Sequence, residues 1–87
     1  MTRALILALA LLPQFASAGW QEGVDAYNNG NYVTALLEWR PLAEQGDRNA
    51  QAALGLMYET GKGVAQDLNH ALYWYRRAAE QTVRSGN

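Results

Sequence analysis

The stretch Ala35-Leu36-Leu37-Glu38-Trp39-Arg40-Pro41-Leu42-Ala43-Glu44-Gln45 returns 36 residues later as Ala71-Leu72-Tyr73-Trp74-Tyr75-Arg76-Arg77-Ala78-Ala79-Glu80-Gln81. Six of the eleven positions are identical, and Trp39 is answered by another aromatic residue, Tyr75. Self-similarity at such a spacing marks a repeat architecture, in which one supersecondary unit is used again. The segments ahead of these also correspond. Gly23-Val24-Asp25-Ala26-Tyr27-Asn28-Asn29-Gly30 and Leu54-Gly55-Leu56-Met57-Tyr58-Glu59-Thr60-Gly61 share a Tyr-x-x-Gly ending, and the second copy has the longer connection after it.

Periodicity says what each unit is. The apolar positions of the later segments fall at Tyr32, Ala35, Leu36, Trp39, Leu42, Ala43 and at Leu68, Ala71, Leu72, Tyr75, Ala78, Ala79. This is the i, i+3, i+4, i+7 stripe of an amphipathic helix, with the same spacing twice. The earlier segments show Trp20, Gly23, Val24 and Tyr27, then Ala50, Ala53, Leu54, Met57 and Tyr58, on one face each. Four helices are predicted, near 20–29, 32–45, 48–60 and 67–81. Asn31, Asp47 and Asp67 stand where a side-chain oxygen caps a helix start, and Gly30, Gly46 and Gly61 where a left-handed residue ends one. Pro41 dissents: inside the second helix its missing N–H should kink the chain or begin a separate last turn. The fold class is therefore all-α, two antiparallel helix hairpins in a short solenoid.

The first 18 residues belong to a different class of segment. Met1-Thr2-Arg3 is a short positive start, Ala4 to Leu12 is an unbroken apolar run, and Pro13 precedes Ala16-Ser17-Ala18. That is the order of a secretory signal, with small residues at the positions a signal peptidase inspects. The run is about half the ~20 apolar residues a spanning helix needs. Cleavage after Ala18 leaves a chain beginning Gly19-Trp20, expected to be exported to a periplasm or the medium, with no membrane association thereafter. In residues 19–87 eight acidic side chains face six basic ones, a net charge of −2. A nucleic-acid binder driven by counterion release needs a basic face, which this balance opposes. The chain has no cysteine, which excludes disulfides, thiolate metal sites and thiol catalysis. Without the signal the hydrophobic fraction falls to an ordinary value, and two repeats remain where about three are usual for a solenoid standing alone.

The run from Leu54 to Gln81 carries Leu-Gly-x-x-Tyr-x-x-Gly-x-Gly-Val, then Asp67, Ala71, an aromatic pair and Ala78-Ala79. It resembles a complete Sel-1-like repeat, a relative of the tetratricopeptide repeat. Residues 47–81 form this copy, residues 19–46 resemble a divergent first one with Gly23-Val24 where Leu-Gly is usual, and 82–87 are read as a C-terminal tail. The resemblance implies a right-handed α-solenoid that holds a peptide or protein segment on the exposed side of the first helix of each hairpin. Carried over position by position, it points to Asp25, Asn28, Asn49, Ala52, Leu56 and Glu59 as partner-binding residues. Their mildly acidic mix suits a neutral or basic segment. Apart from the resemblance, the small Gly55 and Ala71 suggest close approach of two helices, with Tyr58 and Tyr75 filling the space on either side.

Chemistry-bearing residues are sparse. His70, the only histidine, has no carboxylate or hydroxyl grouped with it in sequence and reads as a surface residue. Gly61-Lys62-Gly63-Val64 lacks the Gly-Lys-Ser/Thr ending and the preceding strand of a phosphate loop, and reads as a hairpin connection. Glu44 and Glu80 lie one repeat apart, as helix-end charges and not an acid–base pair. No nucleophile, base and orienting group assemble, so no enzyme, cofactor or metal is expected. Trp20, Trp39, Tyr27, Tyr58 and Tyr75 are expected in the core. Tyr73 and Trp74 lie where a further repeat would stack: either partial burial plus an ordinary exposed aromatic, or a sticky end for a protein partner or a second copy of the chain. The expected role is an exported, non-enzymatic interaction module. Alternatives are a regulatory or inhibitory subunit of an envelope enzyme, or an inactive piece of a longer array.

Overall fold

A computed structural model describes the backbone over residues 19–86 and the side chains over residues 19–81. The expected signal segment, residues 1–18, lies outside the described residues. Four helices follow one another: α1 (Gly19–Asn28), α2 (Tyr32–Glu44), α3 (Arg48–Thr60) and α4 (Leu68–Gly86), with no strand among the described residues. The principal packing is between consecutive helices: α1 with α2, α2 with α3, α3 with α4. Connections this short between packed helices turn the chain back on itself, so the units are antiparallel hairpins, α1–α2 and α3–α4.

The helix limits have local causes. The Asp47 carboxylate accepts the Ala50 N–H at 2.9 Å, and that of Asp67 accepts the His70 N–H at 3.1 Å, capping α3 and α4. Asn31 makes no such side-chain bond. Its backbone does the work instead, donating to the Ala26 carbonyl at 2.8 Å and accepting from Ala35 at 3.1 Å. Gly30, Gly46 and Gly61 all have positive φ, as their places at helix ends require. Gly63, inside the α3–α4 connection, is also left-handed, at φ 76°. A side chain there would meet the Tyr32 backbone at 2.9 Å, so this glycine lets the α3–α4 connection lie against the first hairpin.

Two boundaries differ from expectation. Pro41 starts no separate turn: α2 runs through it to Glu44. It sits in the last turn, where the carbonyl it leaves unbonded is that of Leu37, itself 63% exposed, on a side of the helix open to water. The last helix runs past its expected limit at residue 81, since α4 continues to Gly86. Thr82-Val83-Arg84-Ser85 holds no proline or glycine to stop it.

The core forms between the helices from Ala35, Leu36, Trp39 and Ala43 of α2, Ala50, Leu54, Met57 and Tyr58 of α3, and Ala71 and Trp74 of α4, with Ala26 from α1. Gln51 is the buried polar member, and its Nε2 donates to the Ala43 carbonyl at 3.0 Å across the α2–α3 contact. In each hairpin a glycine faces an aromatic ring. A Cβ on Gly55 would lie 2.5 Å from Tyr75 Cε1, and one on Gly23 would lie 2.6 Å from Trp39 Cδ1 and Cε2. The close approach expected at Gly55 is present, and Gly23 performs the same task in the divergent copy, one position earlier relative to its loop.

Candidate functional site

The six residues expected on the outer side of α1 and α3, namely Asp25, Asn28, Asn49, Ala52, Leu56 and Glu59, are all exposed. Asp25 accepts from the Gln21 side chain at 3.1 Å, one turn away on α1. Two of the six carry negative charge, but the first hairpin also receives a cation from outside that set. The Lys62 ammonium lies 5.6 Å from the Tyr27 ring centre and 5.0 Å from that of Tyr32. The Tyr27 and then the Tyr32 phenols raise its pKa above the ordinary lysine value. The surface is thus mixed in charge near Tyr27, where composition suggested only mild acidity.

Glu59 belongs to a second feature. With Leu68, Ala71, Leu72 and Tyr75 it lines an open pocket of about 210 Å³, and it is the charged member of that lining. Its Oε1 accepts the Tyr75 hydroxyl at 2.7 Å. Burial first, then the Glu59 carboxylate beside it, pushes the Tyr75 phenol up to about 12, so Tyr75 is a neutral donor at physiological pH.

Of the two alternatives for Tyr73 and Trp74, the arrangement is a buried ring beside an exposed aromatic and not a paired sticky end. Trp74 is only 6% exposed and belongs to the core; Tyr73 is half exposed beside it, their rings at 77° with centres 4.9 Å apart. Arg77 covers this pair, its guanidinium 5.4 Å from the Trp74 ring centre and its Nη1 donating to the Tyr73 hydroxyl at 3.2 Å. His70 is exposed and stacks on Tyr58 at 3.8 Å. The Trp74 indole N–H and Gln51 Oε1 are buried without a hydrogen-bond partner among the described residues.

Leu68, 59% exposed, and Leu72, 50% exposed, also face outward on α4, although both lie on its apolar stripe. The physical reason is the number of neighbours. The matching stripe on α2 is covered by α1 and α3, whereas α4 packs principally on α3 alone. Trp20 likewise departs from the core, at 37% exposed, although its ring stacks on Trp39 with centres 5.2 Å apart.

Among the described residues no three His, Asp or Glu side chains are placed to hold a metal ion. No described helix is long and apolar enough to cross a membrane. What the arrangement presents is surface: exposed first helices, and an apolar flank on the last.

Comparison with known proteins agrees with this architecture. The family model of the Sel1 repeat matches residues 48–83, which span α3, its connection and most of α4. A curated protein described as an exopolysaccharide production negative regulator, from Rhizobium leguminosarum bv. viciae, is 38% identical over 65 residues. The match takes in 75% of this chain and 24% of that protein, so the chain spans about a quarter of the relative's length. No solved structure matches. Residues 48–83, whose hairpin brings Gly55 against the Tyr75 ring, are thus recognised as a Sel1 repeat.

Proposed function

We propose that this chain is an exported, non-enzymatic interaction module that holds a peptide or protein segment in the cell envelope. The observation that carries the reading is the joint exposure of Asp25, Asn28, Asn49, Ala52, Leu56 and Glu59 on the first helices of the two hairpins. Side chains free of the core contribute recognition without loss of stability, and repeat folds bind through such laterally extended surfaces. The Sel1 repeat itself supports a protein partner as the ligand class. Export rests on the order of charged start, apolar run and Ala16-Ser17-Ala18.

A second reading is favoured by the printed description of the similar protein, a negative regulator of exopolysaccharide production. In this reading the held segment belongs to an envelope enzyme, whose activity the module restrains.

The test uses the full chain, tagged at its C-terminus and expressed in the organism that makes it. Mass spectrometry of the protein from the envelope fraction should find Gly19 at the N-terminus; retention of residues 1–18 on a cytoplasmic protein would refute export. Cross-linked partner recovery should fall about tenfold, or ~1.4 kcal/mol, in the Asp25→Asn, Glu59→Gln double variant with an unchanged circular dichroism spectrum. Equal recovery would remove both carboxylates from the binding surface.

A further inference from the structure

The two hairpins present the same face to different surroundings. On α2, Leu36, Trp39 and Ala43 are 6%, 5% and 0% exposed: α1 closes on Trp39, and α3 lies across the helix with Ala50, Gln51, Leu54 and Met57 fully buried, Gln51 donating to the Ala43 carbonyl. On α4 the counterparts 36 residues on are Leu72, Tyr75 and Ala79; Leu72 is half exposed, Tyr75 partly so, and Ala79 exposed. The same holds for the polar part of the contact. Arg40 reaches from α2 to the Tyr58 hydroxyl of α3 at 3.4 Å. The side chain of its counterpart Arg76 is exposed and makes no hydrogen bond among the described residues. The pocket bounded by Glu59, Leu68, Leu72 and Tyr75 opens on this same face.

We infer that this face of α4 receives an α-helix of a separate protein, presented as α3 is presented to α2. Such a helix carries a small residue, an aliphatic residue and a second large apolar residue at i, i+4 and i+7, as at Ala50, Leu54 and Met57, and a hydrogen-bond acceptor for Arg76 at i+8, as at Tyr58. The warrant is continuity: the receiving residues repeat those of an interface the molecule already uses. A second copy stacked in the same direction does not meet the requirement. With Gly23 in the role of Gly55, the α1 residues answering to Leu54 and Met57 are Glu22 and Asp25. Two carboxylates would then be pressed onto Leu72 near Glu59, an uncompensated burial of like charge. The α3 of a folded copy is already covered. The inference deepens the interaction reading, on which it rests, by stating what the partner must present.

The test takes the full chain and, as probe, a fluorescent peptide of the sequence 47–61, stapled between positions 52 and 56, which are exposed in α3, so that the helix is formed beforehand. Anisotropy titration should show saturable binding that weakens about tenfold for Leu72→Glu, with helicity unchanged, and falls severalfold for Arg76→Ala. A peptide with Leu54→Glu, which needs no refolding of the protein, should not bind. No saturation at about 1 mM, a concentration at which even a weak contact is visible, or equal binding by Leu72→Glu, overturns the inference. So does sedimentation of the unmixed protein as a dimer that Leu72→Glu dissociates, since a second copy would then be the occupant. Partner loss in the Asp25, Glu59 double variant without binding of the stapled helix would leave the interaction reading standing and remove this one.

Discussion

Replacing Gly23 with alanine adds one methyl group at the closest approach of α1 to α2. That methyl would lie 2.6 Å from Trp39 Cδ1 and Cε2, against the ~3.5–4.0 Å carbon atoms prefer, a shortfall of about 1 Å. The indole cannot yield easily. It is 5% exposed, stacked on Trp20, 5.8 Å from the Tyr27 ring centre, and its N–H donates to the Trp20 carbonyl at 3.2 Å. Overpacking of this kind costs about 1–3 kcal/mol, and displacing the indole forfeits a hydrogen bond worth about 1 kcal/mol. Against this, alanine gains about 1 kcal/mol over glycine in a helix interior. The net expectation for Gly23→Ala is a loss of about 1–3 kcal/mol, which for a domain of this size lowers Tm by roughly 4–8 °C per kcal/mol. Circular dichroism melts and urea titrations read it directly. The decisive arm is a double-mutant cycle: with Trp39→Leu the obstruction is gone, and Gly23→Ala should then stabilise, up to about 1 kcal/mol. A single variant as stable as the parent, or a penalty unchanged by Trp39→Leu, refutes the reasoning.

The equivalent site in the second hairpin should respond alike: Gly55→Leu is expected to lower stability by about 1–3 kcal/mol in urea, with the Tyr75 ring 2.5 Å from the added Cβ. Asp47→Ala removes the carboxylate that caps α3 and should cost about 1 kcal/mol, seen as a lower denaturation midpoint at unchanged slope. Ultraviolet titration of the phenols should show one transition near pH 12 that Tyr75→Phe abolishes. Because the folded pKa of Tyr75 lies above its unfolded value of 10.0, its contribution to stability is intact below pH 10 and lost as pH rises towards 12. Glu59→Gln should lower that transition only part of the way, since burial is the larger cause.

The helix count and most limits were legible because each is written in local chemistry. Asp47 and Gly61 bracket α3 at Arg48–Thr60, where capping rules place it. The buried face of α4 was not. The stripe Leu68, Leu72, Tyr75, Ala79 records the covering a repeat has between two neighbours, and a sequence does not say how many neighbours are present. Trp74, whose counterpart in the first copy is Glu38, gave no periodic signal, yet contact with α3 buries it. Gly23 was hidden by alignment, since matching the Tyr-x-x-Gly endings sets Val24 against Gly55, whereas ring contact sets Gly23 there. Of the candidate surface, exposure of the six outer residues was readable from helical position, while the Lys62 contribution was not, because it depends on how the seven-residue connection between α3 and α4 bends back. The feature that would have flagged it is the pair of glycines around Lys62, spacing suited to a tight return.

That connection has a mechanical consequence. Gly63 lies against the Tyr32 backbone, and Lys62 spans the rings of Tyr27 and Tyr32, so the link inside the second hairpin is fastened to the turn of the first. Gln81 closes the opposite end of the stack, donating to the Gly46 carbonyl at 2.8 Å. The hairpins are thus clamped at both rims, and separating them requires breaking two distant latches together. Force applied to α4 by a bound protein is therefore borne by the whole stack, and the second repeat cannot peel away like a terminal bead on a string.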